Sequence, residues 1–560
     1  MFDKRTIIAF VLIFVIFIAW QALWQPQPPP ETAATDSTAV ESSQPIATEQ
    51  SEPESTPPPA EVTPPAGDTT IAAVDSIPEQ LLTVKTEQYH AVLSNRGGGL
   101  VTLSLNDYKD ADSNFVSLIP EENKIATPTL TSKANDFTDR GIVYQISGDD
   151  LDLSSSGSEG TIVFNGYLPS GSSISKSFTF YGDKPHFDVN VTIDDLAESG
   201  IVKEYVLTWL PSLPPTEYNV GADYESYKGG AFVSGETFKY DSFEDGVMRK
   251  SEAGNAEWVG SRTKYFGYAL IPQGSLGSGA FFEGREWESS NRDGSFKARE
   301  ISAGLVMPVA GKSHLDDNFR IYAGPLDYQI LRGYNVELEN FIDWGWKIIQ
   351  PFSYAVYWVV YFLHKFIPNY GFVIFLVALL LKALTYPLSK KQLKSISAMQ
   401  RLQPQMEELK AKYKDNPQKM NQAVMKLYKD EGVNPLGSCL YMLPQMPFFF
   451  GLYQVFRVTF EFRQAYFLPP WPDLSQPDST GLYIMPLIMA AAMFFQQKLS
   501  MTDPKHKMMV YLMPILFFFM FKSLPVGLVL YWTSFSVLSI IETLTIKRPQ
   551  KKQTTVVERK

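Results

Sequence analysis

The stretch NYGFVIFLVALLLKALTYPL, Asn369 to Leu388, decides the fold. At about 1.5 Å per helical residue its length spans roughly 30 Å, the thickness of a bilayer's hydrocarbon core. Lys382 sits inside it, and a lysine within a span costs roughly 2.5–3.5 kcal/mol on insertion scales. Two readings follow. The amine can snorkel, because the span's cytoplasmic end is about 9 Å away along the helix. Alternatively it faces a wet cavity within the protein, as intramembrane charges commonly do. Helical spacing favours the cavity, since Lys382, Thr385 and Ser389 fall on one polar stripe.

The 560 residues leave room for several domains, and the net charge of −11 is unevenly spread. A single cysteine, Cys439, excludes an internal disulfide framework and a cysteine zinc cluster, and its apolar surroundings suggest an inert buried thiol. The five histidines are far apart, and no P-loop, HExxH or GxSxG motif is present. Neither a metal site, a cofactor nor a recognisable catalytic motif is expected.

Residues 1–24 open with Lys4-Arg5 and run apolar from Ile7 to Trp20 without a clear cleavage site, which predicts a signal-anchor span. Residues 25–84 are rich in Pro, Thr and Glu, with ten acids and no lysine or arginine; this is the composition of a disordered, solvated tether. From 85 to 340 apolar and polar residues alternate between Gly, Asp and Asn turns, as in YHAVLSN before Arg96-Gly97-Gly98-Gly99 and in SISKSFTFYGDKPHFDVNVTID. That pattern predicts a large antiparallel β-sandwich with a buried strand at Tyr205–Leu210. Residues 341–367 are crowded with Trp, Tyr and Phe, which suits a span or an amphipathic helix at the bilayer interface.

Charge counting separates these two. Six spans at roughly 6–24, 369–388, 436–457, 482–499, 508–523 and 526–546 place every basic loop on the cytoplasmic side. The loop 389–434 then carries ten Lys/Arg against five acids, and the 547–560 tail is also basic. A seventh span at 341–367 would invert all of them, so an interfacial helix is predicted there. Both termini become cytoplasmic and the β block lies outside. Within the loop, Leu393, Ile396, Met399, Leu402, Met406 and Leu409, then Met420, Val424 and Leu427, recur at three or four residues, predicting an antiparallel helical hairpin. Pro404 marks either a kink or the first turn of a new helix. The hairpin is a solvated connector or a docking surface for an acidic or RNA-rich partner.

The spans themselves are polar for plain anchors. Ser438, Tyr441 and Gln445 share a face of the third; Gln496-Gln497-Lys498 end the fourth; Trp532, Ser536, Ser539 and Thr543 form a stripe on the sixth. Interhelical hydrogen bonds explain any one stripe. Together with Lys382 they suggest a shared polar groove. The fifth span is only about 24 Å long, which favours local thinning of the bilayer.

Residues 369–546 resemble the YidC family of membrane protein insertases. The resemblance rests on LKALTYPLSKKQ (381–392), LQPQMEELKAKY (402–413), VNPLGSC (433–439), LPQMPFFFGLY (443–453), MFFQQKLS (493–500) and LPVGLVLYW (524–532). It implies a polytopic α-helical membrane protein of the bacterial inner membrane: six spans, a five-span insertase core at 368–546, and a periplasmic all-β super-sandwich similar to sugar-binding folds. It further implies nascent membrane proteins as substrates, the ribosome and the Sec translocon as partners, and no sequence-specific nucleic acid. Carried over by position, the substrate-binding groove would comprise Lys382, Thr385, Ser438, Gln445, Met446, Pro447, Gln497, Trp532 and Ser536. The family usually has arginine where this chain has Lys382, and lysine cannot form a two-pronged bond with a carboxylate. Two other classes compete. A secondary transporter would use the same groove, but no inverted repeat is visible; an anchored carbohydrate-active enzyme would place its function in 85–340.

Overall fold

The computed structural model describes residues 78–546 apart from 120–124, 133–136, 200, 202, 292–293, 310, 415, 433–444 and 501–506. The predicted signal anchor, nearly all of the tether, Ser438, Cys439 and the basic tail lie outside the described residues.

Alternation produces the β block as expected. In Ser173–Tyr181 every second residue, Ile174 through Phe180, is buried and those between are half-buried. This strand pairs antiparallel with Glu159–Tyr167 and His186–Ile193. Nineteen described strands form two sheets. A five-stranded sheet runs in the order Phe115–Ile119, Gly99–Lys109, Tyr89–Ser94, Leu81–Thr86, Leu151–Leu153, and the other has fourteen strands. One core unites them, with Tyr89 edge-on to Phe187 and Trp209 stacked on Tyr268 at 4.8 Å. Leu81–Thr86 pairs in parallel with Leu151–Leu153, a departure from the all-antiparallel expectation.

The alternation also turns Lys176 inward, where it is fully buried. Its ammonium pairs with Asp139 and donates to the carbonyls of Gly97 (3.0 Å) and Pro128 (3.2 Å), so all three donors are used. The Arg96–Gly99 turn delivers the first carbonyl through Gly97 and Gly98, both at positive φ; a Cβ on Gly98 would lie 2.7 Å from the Tyr144 ring. Lys176→Ala strands Asp139 in the core, and the expected loss is about 3–5 kcal/mol, read as a lower unfolding midpoint of the detergent-purified chain. An unchanged midpoint would contradict this account.

Nine helices are described: α1 (Val220–Tyr224), α2 (Tyr328–Arg332), α3 (Gln350–His364), α4 (Tyr370–Lys412), α5 (Pro417–Asp430), α6 (Gln445–Val458), α7 (Ile484–Ser500), α8 (Lys507–Phe521) and α9 (Val526–Ile546). The aromatic segment expected as one helix over 341–367 is divided. Phe341 packs 5.1 Å from Trp258 of the β block, and α3 begins only at Gln350, with Pro351 in its first turn. One face of α3 (Ser353, Val356, Tyr357, Val360) is buried, and Trp358, Phe362 and Phe366 are exposed. A Cβ on Gly451 of α6 would approach the Phe352 backbone to 3.0 Å, so glycine permits the close crossing of α3 and α6.

Asn369 caps α4, its side-chain oxygen accepting from the amides of Gly371 and Phe372. The helix then continues through both Pro387 and Pro404 to Lys412, so Pro404 does not start a new helix. α5 folds back on it after Asn416-Pro417, and the Tyr428 hydroxyl lies 2.9 Å from Met406 Sδ. Helices α4 and α9 are long and apolar enough to cross a membrane, while Ile484–Leu499 and Val510–Phe521 are shorter apolar helices. Phe372, Phe375, Leu379, Leu380 and Leu384 lie exposed along α4, a surface that calls for lipid.

The β block is fastened to the helices at two points. Arg463, after α6, pairs with Glu217 at 2.7 Å, both nearly fully buried, and Phe460 sits among Tyr108, Tyr265 and Phe266. On the approach to α3, Asp343 binds Lys228 at 2.8 Å and lies 3.9 Å from Arg262, while the Gln454 amide of α6 donates to its carbonyl. Between these points, burial and the Asp327 carboxylate push Glu461 up to about 7, with a Tyr357 hydrogen bond pulling the other way. A carboxyl raised above its unfolded value gives stability that is lost as pH rises from about 4.5 through about 7. Glu461→Gln is therefore expected to flatten the fall in unfolding midpoint between pH 5 and pH 8; an unaltered fall would refute the assignment.

Candidate functional site

α9 packs along both α4 and α7. At the α4 contact Lys382 Nζ lies 2.7 Å from Glu542 Oε2 and donates to Ser539 Oγ at 2.8 Å. The Phe535 ring lies under the amine at 4.6 Å. Ser539 and Glu542 are three residues apart and Phe535 is one turn earlier, so one face of α9 supplies all three. Only 12% of the Lys382 side chain and 7% of the Glu542 side chain are exposed. The amine is thus neither snorkelled into water nor alone in a hollow; it is paired inside the helix packing.

The other expected groove residues, Ser438 apart, do not join this cluster. Thr385 is half-buried, and its hydroxyl donates to the Leu381 carbonyl at 2.8 Å, so it adds no donor to the Lys382 cluster. Trp532 contacts Phe449, Phe517 and Phe521 at ring distances of 5.1, 5.9 and 5.6 Å, an aromatic knot joining α6, α8 and α9. Gln445, Met446 and Pro447 form the first turn of α6 leading to that knot, with Met446 partly exposed. Ser536 is buried on α9 one turn beyond Trp532. Gln497, near the end of α7, buries its Oε1 without a partner among the described residues.

Along α9, then, an aromatic level at Trp532 and a charged level at Glu542 lie about 15 Å apart. Glu542 went unrecognised in the sequence. Its signal was present as a carboxylate within an otherwise uncharged 21-residue apolar helix, three residues after Ser539.

A family model described as "60Kd inner membrane protein" matches residues 362–554, and a second, "YidC periplasmic domain", matches 81–355. A Chlorobium luteolum protein named membrane protein insertase YidC is 31% identical over 97% of this chain and 95% of its own length. The chain belongs to the YidC family. Its namesake from Chloroherpeton thalassium is 30% identical over 100% of this chain and 98% of its own. Among solved structures, an active YidC insertase with its first transmembrane domain resolved matches 82% of this chain and 91% of that one, at 20% identity and a TM-score of 0.38. Family membership makes this an inner-membrane protein with a mostly β-sheet periplasmic domain.

Proposed function

We propose that this YidC-family chain inserts nascent membrane proteins into the inner membrane, alone or with the Sec translocon, passing short polar tails along the interface of α4 and α9 while apolar segments leave toward lipid. The carrying observation is the cluster of Lys382, Ser539 and Glu542, whose two charges lie in the apolar stretches of α4 and α9. Such a cluster lowers the cost of a charged or hydrated tail at that depth. Burial of the incoming apolar segment in lipid supplies the drive, with no nucleotide required.

Six spans, with both termini cytoplasmic, fit the charge of the loops. The α4–α5 hairpin, with its basic excess, is the proposed docking place for the ribosome. Trp532 and the first turn of α6 would contact the substrate's apolar part, and Lys382 its acids.

Photocrosslinkers at positions 382, 446 and 532 should each capture a stalled nascent membrane protein. Capture at none of them would overturn the route. Solute flux through the purified protein would favour the transporter, and loss of all activity on deleting 85–340 would favour the anchored enzyme.

A further inference from the structure

The cation of this site, Lys382, has an anion beside it, Glu542. Lysine is a compact ammonium that contacts one carboxylate oxygen at a time, and here it contacts Oε2 of Glu542. The other oxygen, Oε1, is buried with no hydrogen-bond partner among the described residues. A carboxylate so placed has given up water on Oε1 without regaining a partner there. The pair is therefore only half satisfied, and it sits close to the cytoplasmic end of α9. Glu542 is four residues before Ile546, about 6 Å along the helix.

We propose that Glu542 is a displaceable internal counter-ion, a positioning residue that holds the Lys382 ammonium at rest and gives way to an acidic residue of the incoming tail. This rests on the insertion reading above. With the pair intact the site has no net charge, so a substrate carboxylate gains only the difference between its own contact with Lys382 and the one it replaces. Glu542 thereby sets how strongly the site prefers acidic tails over neutral ones, and it keeps Lys382 compensated when no substrate is present.

The test uses the full chain reconstituted in proteoliposomes and a single-span substrate whose short translocated tail carries one Asp, Asn or Lys. The readout is the ratio of acidic-tail to neutral-tail insertion, in which a general loss of folded protein cancels. Glu542→Gln is expected to raise that ratio at least threefold and to lower insertion of the Lys tail. Glu542→Asp keeps the charge, and with it the compensated core. Its shorter reach weakens the contact, so its ratio should fall between those of the unmodified protein and the Gln variant. A ratio equal in all three forms overturns the proposal, as does a drop shared equally by every tail, which marks a purely structural pair. Should the unmodified protein insert no tail at all, the insertion reading fails and this proposal fails with it.

Discussion

Lys382→Ala is expected to lower insertion of substrates with acidic translocated tails tenfold or more, and Lys382→Glu to lower it further. Lys382→Arg should stay within about threefold of the unmodified protein. The sizes follow from the pairing. An acidic tail loses its contact with the ammonium, and a tenfold effect needs only about 1.4 kcal/mol. Alanine leaves the buried Glu542 without its cation, and glutamate brings a second carboxylate to the same place. Arginine keeps the charge and can reach Glu542 and Ser539 together. Exchanging the pair, Lys382→Glu with Glu542→Lys, should recover part of what the single Glu substitution loses. Protease protection of substrate tails in proteoliposomes reads all of these. Equal insertion by the Lys, Arg, Ala and Glu forms would leave the amine with no role beyond covering its own helix.

An effect on stability as large as that of Lys176→Ala is expected at Asp343. Its carboxylate faces Lys228 and Arg262, both buried, and half-buried Lys239 donates to the neighbouring Ile342 carbonyl. Although burial opposes its charge, the nearby cations, Lys228 foremost, hold the Asp343 carboxyl well below the usual carboxylate range. Burial lowers Lys239 to about 7, with Asp343 pushing it up and Arg262 and Lys228 pushing it down. Asp343→Asn removes the central anion and should cost about 3–5 kcal/mol.

The pH dependence has a definite sign. A lysine depressed on folding binds more protons unfolded, so stability rises with pH from about 7 to about 10.5 and levels off below about 7. Without Asp343 the depression deepens, and the variant should keep losing stability below pH 7. The gap between variant and unmodified protein should therefore be wider at pH 6 than at pH 8 in thermal unfolding of the detergent-purified chain. A constant gap would show that Lys239 does not feel Asp343.

Much of this architecture could be read from one-dimensional pattern, and the exceptions share a cause. Alternation in SISKSFTFY gave the strand and its buried side. It could not supply Asp139, 37 positions away in sequence, as the partner that makes a lysine tolerable there. Hydropathy located α4 and α9, and helical spacing put Ser539 on a polar stripe. Which helix that stripe would meet depends on packing, so the Lys382–Ser539 and Lys382–Glu542 contacts were invisible. Aromatic content at 341–367 marked a special segment but merged two environments, because Phe341 packs on Trp258 of the β block while Trp358 and Phe362 lie exposed. Of the two readings of Pro404, a position inside a continuing helix holds and the start of a new helix does not. Pro387 and Pro404 each remove a backbone donor, and the helix still runs through both.

That unbroken helix has a mechanical consequence. Lys382 and Lys412 are joined by thirty residues of one continuous rod, about 45 Å long. A push on its Lys412 end is carried along the helix rather than dissipating in a slack linker. The two prolines are the natural places for it to flex. A load borne at the hairpin thus arrives at the ammonium as a small change of angle, and the bond most exposed to that leverage is the one linking it to Glu542.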